Sequence, residues 1–476
     1  MLKRSLTTLP LVFILYFSTS GGAFTTETLV HQVGPGLALL ILLFVPVIYS
    51  LPEVLIVGEL ASMLPVEGGY YKWVQRAFGP FWAYQNGWLT WMYSLVDMAI
   101  YPVLFNQYLA YFVPSLGRVA RWAIALLMIW GATGINLRGA LRVGRASIVA
   151  GAFIILGFVA LAVAALPHIT HTPWQPFAAP GRRGLNGLAV GLSIALWNYI
   201  GWDNASTAQG EVRDASRTYP RALAFALPLV ALSYFVPLLP ALGATDWHTW
   251  TEGGWPDIAR QAGGSFGPLL AAWIAAAGMV SAIALFNALL LSYSRVPFVV
   301  AADGYLSAPL ARTDANGTPR NAVIVSALVY SAFVLIPFGS LVVADVLLYS
   351  LALSLEFASL VMLRRREPTL RGAFRIPLGA NAVTVLATLP MLVLLLVIFL
   401  SFRDGEYGLP ALAGTAVAII LGPATFYFSS RELRKRREEE GRGEEGRVEE
   451  GRAEEGEPKR ASREGRAEKS EPRTSL

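Results

Sequence analysis

The sequence predicts an all-α membrane protein with twelve transmembrane helices. Of its 476 residues, 55% are hydrophobic and 15% are charged, whereas about a quarter of a typical soluble domain is charged. The charges are also unevenly placed, because 28 of the 70 Lys, Arg, Asp and Glu residues lie in the last 47 positions, from Ser430 onward. The rest of the chain has too few charges to cover a water-soluble surface. It contains repeated apolar stretches of about 20 residues, the length that crosses a bilayer as a helix.

Short polar segments separate the apolar stretches and define the spans in order. The twelve predicted spans cover residues 9–32, 36–58, 80–112, 119–137, 144–166, 186–210, 220–243, 267–294, 321–338, 341–363, 381–402 and 408–429. The chain therefore divides into an N-terminal segment (1–8), a membrane domain (9–429) and a charged tail (430–476). The tail repeats the pentad EEGRG-EEGRV-EEGRA. Because this composition cannot bury a core, we expect the tail to be a disordered cytoplasmic extension.

Lys and Arg residues favour alternate loops of the membrane domain. With the N-terminus inside the cell, the cytoplasmic segments hold 18 of them and the outside segments hold six, at 118, 121, 182, 183, 260 and 403. Cytoplasmic loops are enriched in Lys and Arg, so we predict that both termini are cytoplasmic, in the plasma membrane. A cleaved signal peptide is the alternative for the first span, but it leaves an odd number of spans and breaks the charge alternation.

Two of the spans are interrupted by residues that weaken a helix. Span 1 contains Ser-Thr-Ser-Gly-Gly at 18–22, and span 6 contains Asn-Tyr-Ile-Gly-Trp-Asp-Asn at 198–204. Unwound backbone inside a membrane must be satisfied by protein, water or a ligand. Its N–H groups can bind a carboxylate, and its carbonyl groups can bind an ammonium group or a metal cation. The alternative is a close-packing patch of small residues between helices.

The positions of the two breaks indicate an internal repeat. Spans 1 and 6 begin two successive five-span sets, at about 9–166 and 186–363. Paired interruptions at matching places are typical of inverted-repeat transporters with a site near the bilayer midplane. The sequence therefore predicts a five-plus-five inverted repeat, followed by two extra helices at 381–429.

Six segments resemble those of one transporter family. They read SGGAF (20–24), ELASMLPVEGGYYKWV (59–74), DMAIYPVLF (97–105), WNYIGWDNASTAQGEV (197–212), LEFASLVMLRRREPTL (355–370) and FRIPLG (374–379). In this order they resemble the amino acid–polyamine–organocation superfamily, in the branch that includes plant and protozoan polyamine-uptake transporters and L-type amino acid exchangers. The similarity covers residues from about 9 to 429 and excludes the tail.

The resemblance implies alternating access around a central site that is formed by the two interrupted spans and by side chains of spans 3, 8 and 10. The implied substrate-binding residues are Ser20, Gly21, Gly22, Asp97, Trp197, Tyr199, Gly201, Trp202, Asp203, Phe286 and Asn287. The backbone at 20–22 would meet a carboxylate or its equivalent, and the aromatic residues of span 6 would shape or gate the pocket. Asp97 and Asp203 would be its acids.

Three positions depart from the pattern of the polyamine branch. Asn287 stands in span 8 where an acid is usual, and Asn106 and Gln107 replace the acid that usually follows YPVLF in span 3. Both changes lower the negative charge that a multivalent cation would meet. Span 5 lacks the Lys that takes the place of a sodium site in some relatives, so the resemblance transfers no coupling ion.

Acids inside the spans need partners or water, because an Asp at the bilayer centre costs about 2.5–3.5 kcal/mol on translocon scales. Asp203 in the span 6 break can pair with a substrate ammonium group or cap the second half-helix. Asp97 in the middle of span 3 can handle substrate or protons, or belong to a structural polar network. Structural roles, such as pairing with Arg at span ends or gating, are expected for Glu53, Glu59, Glu211 and Glu356.

These features predict a secondary transporter that moves amino acids or polyamines, and no enzyme activity. The two acids favour proton-coupled uptake of a cationic amine. The chain has no Cys and four scattered His residues, and it carries no nucleotide or nucleophile motif. We therefore expect no cofactor, metal ion or nucleic-acid partner, but a small-molecule substrate, H⁺ as the coupling ion and membrane lipid. The alternatives are a neutral amino acid permease or exchanger, a channel, and a nutrient sensor that does not transport.

Overall fold

The computed structural model describes residues 3–181, 185–333, 341–403 and 413–434. This part of the chain is built from helices and loops, with one isolated β-bridge. The α-helices, numbered α1 to α17, are Thr8–Thr19, Thr26–Val33, Pro35–Val45, Leu51–Met63, Gly69–Phe78, Pro80–Leu109, Arg118–Asn136, Ala140–Ala165, Leu185–Trp197, Ala215–Ala244, Trp255–Ala262, Gly267–Tyr293, Arg295–Ala302, Arg320–Phe333, Leu341–Arg366, Ala380–Arg403 and Ala413–Arg434. Residues 430–434 of the predicted tail are helical and form the end of α17. The tail from 435 onward and the predicted outside residues 182 and 183 lie outside the described residues.

Nine helical segments in the described part of the chain are long and apolar enough to cross a membrane. They are Pro35–Met63, Pro80–Leu109, Arg118–Asn136, Ala140–His168, Ala215–Ala244, Gly264–Ala302, Leu347–Arg366, Ala380–Phe399 and Ala413–Arg434. Their outward side chains include Leu127, Val149 and Val385, which are 73%, 71% and 72% exposed. Large exposed apolar side chains suit a lipid surface. The prediction of a helical membrane protein is therefore confirmed for the described residues.

The three remaining predicted spans contain shorter helices. In span 1, α1 ends at Thr19 and α2 begins at Thr26. In span 6, α9 ends at Trp197, and a 3₁₀-helix follows at Asn204–Glu211. Span 9 contains α14, and its predicted end falls in 334–340, outside the described residues. Both spans that carry the predicted interruptions are thus divided at the predicted places.

Glycine permits the two breaks to touch. Gly22 and Gly201 have φ angles of 108° and 102°, a region that residues with a side chain disfavour. A Cβ atom on Gly201 would also collide with the Ser18 carbonyl oxygen of the other break. The two breaks therefore lie directly against each other.

The structure differs from the predicted spans in two respects. The second span continues to Met63 through a π-helical turn at Pro46–Ser50, because Pro46 and Pro52 lack the N–H groups that a regular helix would use. Helices α5 and α11 are absent from the sequence prediction. They have 10 and 8 residues, which is too short for a hydropathy pattern to reveal as a span.

The long helix α6 lies at the centre of the bundle. It packs against α12 and α15, while α12 also packs against α1, α8 and the 3₁₀-helix of span 6. The two breaks are therefore enclosed by α6, α12 and α15.

The N-terminal segment is joined to the end of span 6. Leu6 and Val212 form the isolated parallel bridge. The N–H groups of Ser5 and Leu6 donate to the Glu211 carbonyl oxygen at 2.8 and 2.9 Å, and the Arg213 N–H donates to the Leu6 carbonyl oxygen at 2.9 Å. The beginning of α1 is thus fixed to the end of the 3₁₀-helix.

Candidate functional site

A cavity lies where the two breaks face each other. Its lining residues are Ser18, Thr19, Ser20, Gly21, Phe24, Thr25, Tyr93, Asp97, Tyr101, Leu104, Trp197, Asn198, Ile200, Gly201, Asn204, Ser281, Leu285, Tyr293 and Tyr349. The space open to a water-sized sphere is about 40 Å³, which is enough for a few water molecules. Five residues of the predicted site line it, namely Ser20, Gly21, Asp97, Trp197 and Gly201.

Asp97 places a carboxylate in the wall of this cavity. Its Oδ1 accepts a hydrogen bond from the Tyr101 hydroxyl at 2.7 Å, and its Oδ2 accepts one from the Tyr293 hydroxyl at 2.8 Å. Asp97 is 7% exposed, and none of the salt bridges among the described residues includes it. The two hydroxyls fix the carboxylate without neutralising its charge, so it can accept a cation.

The break in span 1 presents backbone groups that are held by short polar side chains. The Gly22 N–H donates to Ser20 Oγ at 3.2 Å. Ser281 of α12 donates to the Gly21 carbonyl oxygen at 2.7 Å. Thr25 donates to Asn198 Oδ1 at 2.9 Å and so joins this break to the break in span 6. The unwound backbone is therefore satisfied in part by neighbouring helices, as a membrane interior requires.

Tyr349 of α15 fixes the break in span 6. The Gly201 N–H donates to the Tyr349 hydroxyl at 3.0 Å, and the hydroxyl lies 2.8 Å from Asp203 Oδ1. Tyr93 of α6 donates to Asn204 Oδ1 at 3.1 Å. The rings of Tyr93 and Tyr349 meet edge to face at 5.3 Å, and both residues line the cavity.

Asp203 lies behind the cavity wall and is absent from the lining residues. It is 1% exposed, and the Tyr349 hydroxyl stands between its carboxylate and the cavity. Glu53 of α4 approaches the same hydroxyl at 3.2 Å. The Asp203 side chain makes no capping hydrogen bond to the 3₁₀-helix that follows. Its pairing with a substrate ammonium group stays a prediction, and the Tyr349 hydroxyl lies nearer to the cavity than the Asp203 carboxylate does.

Five further predicted residues also lie outside the lining. Tyr199 donates to the Leu42 carbonyl oxygen at 3.0 Å, and Trp202 donates to the Tyr199 carbonyl oxygen at 2.8 Å. Both aromatic side chains are fully buried. They pack behind the break, whereas Trp197 faces the cavity.

Gly22, Phe286 and Asn287 complete this group. Phe286 packs edge to face on Tyr330. Asn287 Oδ1 accepts a hydrogen bond from Asn136 Nδ2 of α7 at 2.7 Å. Phe286 and Asn287 therefore contact neighbouring helices, and Gly22 supplies the backbone turn of the break.

The tyrosines of the cavity are missing from the sequence prediction. A Tyr in the middle of a span carries a hydroxyl that needs a partner. Tyr101 lies four residues after Asp97, on the same face of the helix, and this spacing was sufficient to indicate the pair. Tyr293 and Tyr349 come from spans 8 and 10, and no sequence spacing indicates which acids they meet.

Buried ion pairs lie at the ends of several spans. As predicted, Glu59 and Glu211 pair with arginines: Arg364 Nε lies 2.7 Å from Glu59 Oε1, and Arg295 Nε lies 2.9 Å from Glu211 Oε1. Glu67, in the loop between α4 and α5, lies 4.0 Å from Arg295 and accepts the Gly210 N–H at 2.8 Å. Burial and the neighbouring Glu211 carboxylate raise the pKa of Glu67 well above its usual value.

Comparison with known proteins agrees with this architecture. A family model described as Amino acid permease matches residues 6–421. The chain is similar to the Polyamine transporter RMV1 of Arabidopsis thaliana, with 36% identity over 423 residues, 88% of this chain and 85% of that protein. It is also similar to the Polyamine transporter PUT1 of Oryza sativa subsp. japonica, with 34% identity over 88% of this chain and 78% of that protein.

A bacterial protein is a more distant relative. The Branched-chain amino acid permease BcaP of Lactococcus lactis subsp. cremoris is 25% identical over 70% of this chain and 76% of its own length. The resemblance found in the sequence segments is thus confirmed by matches that extend over nearly the whole membrane domain. The chain belongs to the amino acid permease family of membrane transporters.

Proposed function

We propose that this protein is a proton-coupled secondary transporter that takes up a small cationic amine, in first place a polyamine, by alternating access across the plasma membrane. The observation that carries the proposal is the carboxylate of Asp97, which lies in a cavity between two helix breaks and has hydroxyl partners but, among the described residues, no cationic partner. A buried charge of this kind is costly unless a counter-ion shares the site. A substrate ammonium group supplies that counter-ion.

A topology of twelve spans fits the described helices. The nine long apolar segments and the shorter helices of spans 1, 6 and 9 together make twelve. We propose that the sets at about 9–166 and 186–363 form an inverted repeat and that 381–429 supplies two extra spans. The excess of Lys and Arg in alternate loops supports cytoplasmic termini.

The side chains that line the cavity suit an organic ammonium ion by their chemistry. Asp97 would hold the charged nitrogen, and the faces of Tyr93, Tyr293 and Trp197 would add cation–π attraction. The hydroxyl and amide groups of the two breaks would bind the remaining polar atoms of the substrate. We propose direct contacts for the predicted residues that line the cavity, and supporting roles for Gly22, Tyr199, Trp202, Asp203, Phe286 and Asn287.

The names of the plant relatives support a polyamine as the substrate. Two of them, at 36% and 34% identity, are named polyamine transporters. A neutral amino acid is the second candidate, because its single ammonium group matches the one carboxylate that the described residues contribute to the cavity lining. Its own carboxylate would then meet the N–H groups of the break at Ser20–Gly22.

Competitive uptake into proteoliposomes tests the proposal. Purified protein would be supplied with labelled putrescine, arginine or leucine, with and without a pH gradient. We expect saturable putrescine uptake that is stimulated by an acidic outside and inhibited by unlabelled polyamine. Saturable uptake of leucine alone would establish the second candidate instead, and no saturable flux of any of the three would contradict both.

A further inference from the structure

A second group of carboxyls lies behind the cavity. Glu53 of α4, Asp203 of the span 6 break and Glu356 of α15, which we call the acid cluster, are 0%, 1% and 1% exposed. They are close enough to interact electrostatically. The titratable groups that face them from the surrounding elements are the hydroxyls of Tyr49, Tyr70, Tyr219 and Tyr349. None of the salt bridges in the described part of the chain includes a member of the cluster.

The Tyr349 hydroxyl has one hydrogen and two acidic neighbours. Its oxygen accepts the Gly201 N–H at 3.0 Å, Asp203 Oδ1 lies at 2.8 Å and Glu53 Oε1 lies at 3.2 Å. A hydroxyl donates one hydrogen bond, so it satisfies one carboxylate. If both acids were ionised, the other would face a second negative charge in a buried site without a cation. A proton on one acid turns that acid into a donor to the tyrosine oxygen.

Glu53 is the better holder of this proton. Asp203 lies nearer to the hydroxyl and directly precedes the helix at Asn204–Glu211, whose positive end favours an ionised carboxylate. Glu53 Oε2 has no hydrogen bond of normal geometry, although the Tyr49 hydroxyl and the Trp202 backbone lie close to the carboxyl, and the fully buried Tyr49 hydroxyl makes none either. A carboxyl with an unsatisfied buried oxygen costs less to bury when it is neutral than when it is ionised.

We propose that Glu53 is a proton-binding site of this transporter and that Tyr349 links the site to the substrate cavity. The inference rests on the proposed function, because it names the place where the coupling proton is held. A proton is the ligand that fits, since the three acids are absent from the lining of the substrate cavity and of three other pockets among the described residues. The described residues also include no group of His, Cys, Asp and Glu arranged to hold a metal ion.

Tyr349 provides the connection to the substrate. It lines the cavity, holds the Gly201 N–H of the break and contacts both acids. When Glu53 carries a proton, the carboxyl, the hydroxyl and Asp203 form one chain of hydrogen bonds. When the proton leaves, Glu53 and Asp203 repel each other across the hydroxyl, and this repulsion pushes α4 away from the break. Binding of one proton from one side of the membrane and its release to the other side would thus be coupled to the movement of the break in span 6.

The test separates gradient-driven accumulation from exchange. Glu53→Gln and wild-type protein would be compared in proteoliposomes with labelled putrescine, first in counterflow at equal pH and then under a gradient with an acidic outside. Because Gln stays neutral, we expect counterflow within about twofold of wild type, while accumulation driven by the gradient and substrate-dependent proton influx are lost. Glu27→Gln is the matched control, since Glu27 is another buried acid that accepts a backbone N–H, from Gly253, and this variant should accumulate putrescine as wild type does.

Each outcome decides between the two ideas. If Glu53→Gln accumulates putrescine under the pH gradient at the wild-type level, the proton site is wrong and the transporter assignment stands. The same conclusion follows if wild-type protein shows counterflow but a pH gradient does not make it accumulate putrescine. Wild-type protein that moves no amine contradicts the proposed function itself. If Glu53→Gln loses counterflow as well, putrescine binding to the purified variant is measured against pH. Binding that varies with pH as in wild type contradicts the inference, and binding that no longer varies supports it.

Discussion

Tyr293 and Asp97 meet across the cavity, where the hydroxyl at the end of α12 donates to the carboxylate of α6 at 2.8 Å. With Tyr101 on the other carboxylate oxygen, the acid is held rigidly in one orientation. The carboxyl group of Asp97 is therefore already oriented toward the cavity before any substrate arrives.

Replacing the carboxyl group of Asp97 should abolish most of the amine uptake. Asp97→Asn keeps the size of the side chain and loses its charge. Hydrogen bonds to charged groups contribute about 1.5–3 kcal/mol, so we expect kcat/KM for putrescine uptake in proteoliposomes to fall by about 10- to 100-fold. Asp246→Asn is the control, because this exposed acid contacts His248 in a loop. A similar loss in both variants would show that Asp97 has no special role.

The contact between the two breaks should not tolerate a side chain. In Gly201→Ala the new Cβ meets the Ser18 carbonyl oxygen, so we expect the breaks to separate and transport to be lost. Gly79→Ala is the matched control, because its φ is also positive, at 91°, and no atom lies within 4 Å of the added Cβ. Gly79→Ala should have only the backbone strain of about 1–3 kcal/mol. We therefore expect it to have a lower thermal midpoint in detergent and to retain transport. Equal transport by both variants would contradict the packing argument.

Glu67 should make thermal stability depend on pH. Its raised pKa means that the folded protein binds this proton more tightly than the unfolded chain, whose Glu has a pKa of about 4.3. The stabilisation is full below that pH and is lost as the pH rises through the raised pKa. Glu67→Gln stays neutral and keeps an oxygen for the Gly210 N–H. We therefore expect its Tm in detergent to fall less than that of wild type between pH 5 and 8.

Glu367 should change the thermal stability with pH in the opposite direction to Glu67. Arg76 lies 2.8 Å from it and lowers its pKa, so its contribution is present above the unfolded pKa and is lost as the pH falls through the folded pKa. Glu367→Gln should flatten the acid side of the stability curve and leave the alkaline side unchanged. Matching curves for the variants at 67 and 367 would contradict both assignments.

The buried ion pair of Glu59 and Arg364 should matter far more than the exposed pair of Arg76 and Glu367. Glu59→Gln leaves the Arg364 guanidinium buried, at 7% exposure, without its charged partner. Such losses cost about 3–5 kcal/mol, so we expect a large decrease in the thermal midpoint and in the yield of folded protein. Glu367→Gln at neutral pH should change the midpoint little, because water screens exposed charges. Equal decreases would contradict this ranking.

The sequence was sufficient to locate the breaks, because glycine and polar residues in the middle of an apolar span disfavour a continuous helix there. Asp97 could also be assigned to the cavity from its depth in span 3. The position of Asp203 behind Tyr349 could not be predicted, since it depends on which way the unwound backbone of 198–203 turns. A hydropathy pattern carries no information on that direction.

The same limit applies to side chains on regular helices. Phe286 and Asn287 lie at the right depth in span 8, yet they face Tyr330 and Asn136. Residues 284–293 of this helix are buried on every side, and the rotation of such a segment does not follow from its apolar periodicity. Ser281 and Tyr293, on the same helix, reach the cavity instead.

The bridge between Leu6 and Val212 couples the backbone before α1 to the backbone at the end of span 6. While the hydrogen bonds of this bridge are intact, a movement of the beginning of α1 also moves the C-terminal end of the 3₁₀-helix in span 6. A bulky fusion placed just ahead of Ser5 would therefore disturb both interrupted spans at once, and a fluorescent reporter attached there would respond to a movement of either span.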